Sequence, residues 1–236
     1  LLFEEEIREP SIAAESLTYR CLALTGSFET GKGLPDCFTG LSGDFDGQGI
    51  SYGVLQWNFG QDSLQPLLKD MSANHPDAVE AIFQDHRDTL SEVLKDTHDE
   101  QMAFARSIQH PVKHYVYEPW RGMFKALGRT EEFQDIQVKY ADRLYQGARR
   151  YCRDYNLWSE QAVALMFDIR VQNGSIPGHV RTRITAGFKE IPKVLEKAEL
   201  EVAMMRIVAN RRAEAANPRW VEDVRARKLC KGRIQA

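Results

Sequence analysis

Glu29 and Asp46 stand seventeen residues apart, with Asp46 inside a turn-forming stretch. That stretch, Gly43-Asp44-Phe45-Asp46-Gly47-Gln48-Gly49, runs on into Ile50-Ser51-Tyr52-Gly53-Val54-Leu55-Gln56-Trp57. A hairpin there folds one carboxylate back toward the other across a groove. Two carboxylates on a groove are the minimum set for breaking a glycosidic bond. One, kept protonated in a less polar setting, donates to the leaving oxygen; the other stays ionised and activates water or attacks the sugar. Ser51, five residues after Asp46, puts a hydroxyl near the same rim to orient a water, and the position also suits an ordinary strand serine. Tyr52, Trp57 and Asn58 supply the stacking faces and amide donors that sugar-binding clefts use, with Trp57 equally suited to a core. Asp44 and Gln56 join them as substrate-binding candidates.

These residues need elements to position them. Pro10 and Ser11 mark a helix start with Ser11 as its cap, and Ile12, Ala13, Leu17, Cys21, Leu22 and Leu24 give an apolar stripe that Gly26 is expected to stop. Glu29 then falls just past the helix, at the negative end of its dipole, which favours the protonated form a general acid needs. A surface carboxylate in a loop is the alternative for that position. From about 32 to 60 the chain is dense in Gly and has no long helical pattern, so short strands and turns are expected. Asp44-Phe45-Asp46-Gly47 fails as a calcium loop, because Gly47 comes too early and no Glu closes a loop of the required length.

Beyond Gly60 the pattern is helical. Ser63 to Met71 and Pro76 to Leu94 read as amphipathic helices, and the aromatic-rich Pro111 to Gly128 as a connection between two helical lobes. Thr130 to Tyr155 reads as one long helix. Ser159 caps a segment through Val171 that is apolar nearly all round and therefore central. Asp168 inside it requires a partner, and a C-terminal helix from about Lys193 to Ala216 offers Arg206, Arg211 and Arg212, with Arg206 and Arg211 foremost. The expected fold is α+β and predominantly α-helical, a single domain over 1–236 with two helical lobes and a small β-hairpin region flanking the cleft.

The chain's 236 residues are 43% hydrophobic, enough for a full core, and its formal net charge of −3 argues against a nucleic-acid binder. The basic residues from Arg206 to Arg233 are interrupted by acids and suit a solvated helix face. Four cysteines, Cys21, Cys37, Cys152 and Cys230, are too few and too scattered for a disulfide framework or a zinc site. Cys21 and Cys37 flank Glu29 and could pair, or both could be buried thiols. The histidines show no metal-ligand spacing, and no cofactor or metal is expected. No apolar run has the length of a membrane span. The abrupt opening at Leu1, without a signal, suggests a piece of a longer protein.

Around Glu29 and Asp46 the chain resembles the lysozyme-like superfamily, most specifically the family 46 chitosanases. In that family a catalytic Glu at the end of a first long helix is followed by a catalytic Asp in a D-G-x-G-x-[Thr/Ser]-x-G segment, and Asp46-Gly47-Gln48-Gly49-Ile50-Ser51-Tyr52-Gly53 is similar to it. The resemblance implies Glu29 as general acid, Asp46 as base and Ser51 as the water-positioning hydroxyl. Phe167-Asp168-Ile169-Arg170-Val171-Gln172-Asn173-Gly174 is similar to the family's central-helix segment, with Asn173 where a His is usual. Asp168 would then belong to an Arg and Asp chain behind the acid. Tyr52-Gly53-Val54-Leu55-Gln56 also resembles a segment of peptidoglycan lysozymes and lytic transglycosylases.

The resemblance implies a glycoside hydrolase cleaving β-1,4 linkages in an amino-sugar polymer, foremost peptidoglycan, with inversion the family's tendency. A chitosanase, a lytic transglycosylase and a non-catalytic wall-binding module are the alternatives. Such an enzyme meets its polysaccharide partner in the periplasm or outside the cell, as part of a secreted toxin, phage lysin or delivered antibacterial effector. The sequence names no immunity protein.

Overall fold

A computed structural model of the chain describes residues 15–216 together with 222, 225 and 226. Ser11 and Cys230 lie outside these residues. The protein is predominantly helical with one small three-stranded antiparallel sheet. It divides into two compact units, residues 23–142 and residues 1–22 with 143–236.

Helix α1, Leu17–Thr30, begins at Ser16, whose hydroxyl accepts the Tyr19 N–H at 3.2 Å. It does not stop at Gly26. That glycine is inside the helix because Val54 lies against it: a Cβ there would come 2.0 Å from Val54 Cγ2. The stop is Gly31, at φ +67°, a left-handed conformation that glycine adopts at no steric cost. Glu29 therefore sits in the last turn of α1.

In the 23–142 unit, strands β1 (Leu41–Ser42), β2 (Ser51–Tyr52) and β3 (Trp57–Asn58) pair in sequence order, with Leu41 opposite Tyr52 and Tyr52 opposite Trp57. Helices α2 (Gln65–Asn74), α3 (Pro76–Phe83), α4 (Arg87–Val93), α5 (His98–Ser107) and α6 (Trp120–Arg129) follow, and α7 (Glu131–Asp154) begins here. Their core is aromatic. Tyr52 stacks on Phe133 at 5.5 Å, Phe124 meets Phe83 edge-on at 5.9 Å, and Trp120 meets Phe104 edge-on at 4.9 Å.

Two expectations are corrected in this unit. Pro76 to Leu94 is not one helix, because Gln84 takes φ +46°, and a left-handed residue cannot continue a right-handed helix. Pro111 to Gly128 is not a connection. Its second half is α6, whose Trp120, Phe124 and Leu127 are core residues at helical spacing.

The other unit is built on α8 (Glu160–Asn173), where every residue from Ala162 to Ile169 is buried, as its uniform apolarity requires. Ser159 caps it by accepting the Ala162 N–H at 3.2 Å. Glu201 of α10 (Lys197–Glu214) accepts the Ser159 N–H at 2.8 Å, placing a carboxylate at the positive end of the α8 dipole. Arg20 and Glu160 add a two-pronged ion pair at 2.7 and 2.8 Å. The sequence reading omitted α9 (Gly178–Lys189), a polar helix that buries only Val180 and Ile184. No helix among the described residues is long and apolar enough to cross a membrane.

Candidate functional site

The last turn of α1 is held against the sheet at one glycine. A Cβ on Gly40 would lie 2.8 Å from Gln56 Nε2, 3.0 Å from Thr30 Cγ2 and 3.2 Å from the Gly53 carbonyl oxygen, so only glycine lets these segments meet. Gln56 is fixed from both ends of its amide: Nε2 donates to the Gly53 carbonyl at 2.9 Å, and Oε1 accepts the Ser42 hydroxyl at 2.8 Å. The Tyr52 to Gln56 segment is clamped from behind by Gln137 of α7, which is fully buried. Gln137 accepts the Val54 N–H at 2.8 Å and donates to the Phe38 carbonyl at 3.2 Å. The last turn of α1, which carries Glu29, thus lies beside the Tyr52 to Gln56 segment; the side chain of Glu29 lies outside what the structure describes.

Asp44 organises the turn that follows β1. Its carboxylate accepts the Gly49 N–H at 2.7 Å and the Arg106 guanidinium at 2.9 Å. Burial opposes its ionisation, but those two hydrogen bonds and the charges of Arg106 and His114 outweigh burial and hold its pKa below the usual carboxylate value. Gln109 completes the fastening by accepting the Asp44 N–H at 2.7 Å while donating to the Ala105 carbonyl at 2.7 Å. Gly43 has no room for a side chain, since a Cβ would sit 2.0 Å from the His114 carbonyl oxygen.

This fastening brings the turn alongside a second hairpin, in which Gln109 and Val116 pair as an antiparallel bridge. His110 shapes its tip, Nδ1 accepting the N–H groups of Val112 and Lys113 at 3.1 and 3.0 Å. Between hairpin and turn lies a groove of about 310 Å³, wholly within the 23–142 unit. Lys32, Lys113, Arg121 and Lys125 line it with positive charge, and Ser42, the partner of Gln56, is on its wall. Phe45 and Tyr115 bring exposed ring faces, Phe45 being 71% exposed and set edge-on to His114 at 5.1 Å.

The structure spreads the remaining sequence candidates. Asp46 is exposed, and its carboxylate accepts the Gln48 N–H of its own turn at 3.2 Å. Ser51 is buried in the central strand. Two expected sugar contacts, Tyr52 and Asn58, are corrected. Tyr52 is a core residue with no exposed surface, its hydroxyl donating to the Phe124 carbonyl, and burial pushes its phenol well above the usual value. Asn58 is buried and accepts the Gln61 N–H at 2.8 Å, closing the turn after β3. Asp44 is half-buried and holds the turn through Gly49 and Arg106.

In the other unit Asp168 is fully buried, but Arg206 is exposed and Arg211 pairs with Glu214 at 3.0 Å. The buried arginine of α10 is Arg212, the next residue round the helix. Cys21, Cys37 and Cys152 are buried and none is in a disulfide, so a Cys21–Cys37 bridge is not formed. No group of three or more candidate metal ligands occurs among the described residues.

The groove's cations were missed because they come from four places in the chain. Their only local signal is the alternation of basic and aromatic residues from His110 to Arg121. Neither the comparison with protein-family models nor that with curated proteins returns a match for this chain.

Proposed function

We propose that the protein is a glycoside hydrolase that cleaves an amino-sugar polymer, foremost peptidoglycan, with Glu29 as its general acid. The observation that supports this most is the convergence of Thr30 and Gln56 on Gly40, which brings the Glu29-bearing end of α1 near Gln56, the hydrogen-bond partner of the groove-lining Ser42. In the last turn of a helix a carboxylate faces the negative end of the dipole, which favours the proton it must donate to the glycosidic oxygen. Under the two-carboxylate scheme Asp46 directs water at the anomeric carbon, helped by Ser51, and the separation of the carboxylates decides inversion or retention.

A second reading is favoured by one feature. Asp46 is exposed and bonded within its own turn, while Ser51 is buried, so a single-acid mechanism of the lytic transglycosylase kind makes no demand on either. Purified sacculi digested with wild type, Glu29→Gln and Asp46→Asn, and analysed by mass spectrometry with and without borohydride reduction, separate these readings. The expected result is loss of roughly 100- to 10,000-fold in Glu29→Gln. A comparable loss in Asp46→Asn with reducing ends from wild type supports the two-carboxylate hydrolase. Anhydro products with Asp46→Asn still active support the single-acid reading. Unchanged release by Glu29→Gln would overturn both.

A further inference from the structure

We propose that the groove between the β1–β2 turn and the 109–116 hairpin is an anion subsite that takes the carboxylate of an acidic amino-sugar polymer. This rests on the reading above, in which the glycan lies beside the end of α1. The chain carries a net charge of −3, yet the groove gathers Lys32, Lys113, Arg121 and Lys125, and none of its described lining residues is acidic. Two nearby acids are already engaged, Asp44 with Arg106 at 2.9 Å and Glu118 with Arg121 at 2.7 Å. Among the described residues no ion pair engages Lys32, Lys113 or Lys125. Three ammonium groups around one concave surface attract an anion, and low-dielectric walls strengthen the attraction.

The apolar side of the groove narrows the ligand further. Phe45 and Tyr115 present large exposed ring faces at the same opening, 71% and 47% exposed, which suit the face of a sugar ring. A sugar with an acidic substituent satisfies both features at once. On peptide-free peptidoglycan strands every second sugar carries a free carboxylate through its lactyl ether, whereas chitosan carries ammonium groups that these lysines repel. A nucleic acid also combines charge with stacking, but it requires a basic stripe along the molecule, and this basic cluster is confined to one groove of about 310 Å³ on an acidic chain.

The test measures binding without turnover, on the whole 236-residue chain carrying Glu29→Gln, by calorimetry at low and moderate salt. Three tetrasaccharides of equal length are compared: a peptide-free strand of alternating N-acetylglucosamine and N-acetylmuramic acid, neutral N-acetylchitotetraose, and fully deacetylated chitotetraose. The acidic strand is expected to bind about tenfold or more tighter than the neutral one, as one or two charge-assisted contacts provide, with the cationic one weakest. Adding salt narrows the difference. Lys113→Ala with Lys125→Ala should abolish the preference while leaving the far-UV spectrum and melting temperature unchanged, since Lys113 is at an exposed hairpin tip.

Equal affinity for acidic and neutral strands, an undiminished preference in the double variant, or tighter binding of a single-stranded oligonucleotide would overturn the subsite. The two proposals fail separately. A charge preference in a protein that cleaves no glycan keeps the subsite and removes the hydrolase; cleavage by wild type without any charge preference does the reverse.

Discussion

Asp44 sits between two glycine-bounded turns and is gripped from both sides, by the Gly49 N–H and the Arg106 guanidinium. Asp44→Asn keeps an acceptor for Gly49 but removes the charge, and is expected to cost about 1–3 kcal/mol in urea unfolding at neutral pH. Arg106→Gln should cost less, because its side chain is 57% exposed and solvent screens the pair. The pH dependence has a definite sign. The folded pKa of Asp44 is depressed, so its contribution is complete above the ordinary carboxylate value of roughly 4 and is lost as pH falls through the lower folded value. Unfolding curves of wild type and Asp44→Asn should therefore converge in acid. A gap between them that persists or widens there would show that the carboxylate's charge is not what holds the turn. Sequence spacing identified Asp44 as a residue doing chemistry, but not which chemistry, because a carboxylate beside Gly-rich turns fits a ligand and a backbone N–H equally well.

Glycines do much of the positioning, and their roles divide by what stands opposite. Gly43→Ala would drive a methyl group into the His114 carbonyl at 2.0 Å and Gln109 Oε1 at 2.3 Å, and a backbone carbonyl cannot yield as a side-chain end can. It is expected to destabilise by about 1–3 kcal/mol in denaturant titration and to weaken anionic-ligand binding by displacing the hairpin. Gly33→Ala, with nothing within 4 Å of the new methyl, should stay within about 0.5 kcal/mol. The same distinction explains what the sequence could reveal of the elements. Helices α7 and α8 were legible to within a few residues, since long periodic or uniformly apolar runs with clear caps leave one reading. The end of α1 was misplaced by five residues, because a glycine that admits Val54 and a glycine that terminates a helix look the same in one dimension. Helix α9 buries two side chains and gives almost no periodicity to read. Of the three arginines that the C-terminal helix offers, Arg212 is the buried one and its neighbour Arg211 is not, because each step along a helix turns the side chain by roughly 100°.

Each of the two units has its own core and its own thiol reporter. Cys37 belongs to the 23–142 unit and Cys152 to the other, and burial pushes their thiols up to about 11 and about 12. Both should resist a thiolate-selective reagent in native buffer and react once their own surroundings open. Labelling followed by mass spectrometry across a urea series is expected to give a separate midpoint for each; immediate modification of either in native buffer would contradict its burial. The distribution of charge was invisible in the net value of −3, because a molecule's sum says nothing of where its lysines converge. The 109–116 hairpin has a further consequence, for descent with modification. Val112 is 77% exposed, and the hairpin is secured at its base by the Gln109 amide and the bridge to Val116. The exposed tip, Pro111 to Lys113, can therefore lengthen, shorten or change charge while the aromatic interior stays as it is. Selection for a new ligand and selection for a stable fold fall on different residues, and lineages descended from this chain would diverge first at that tip.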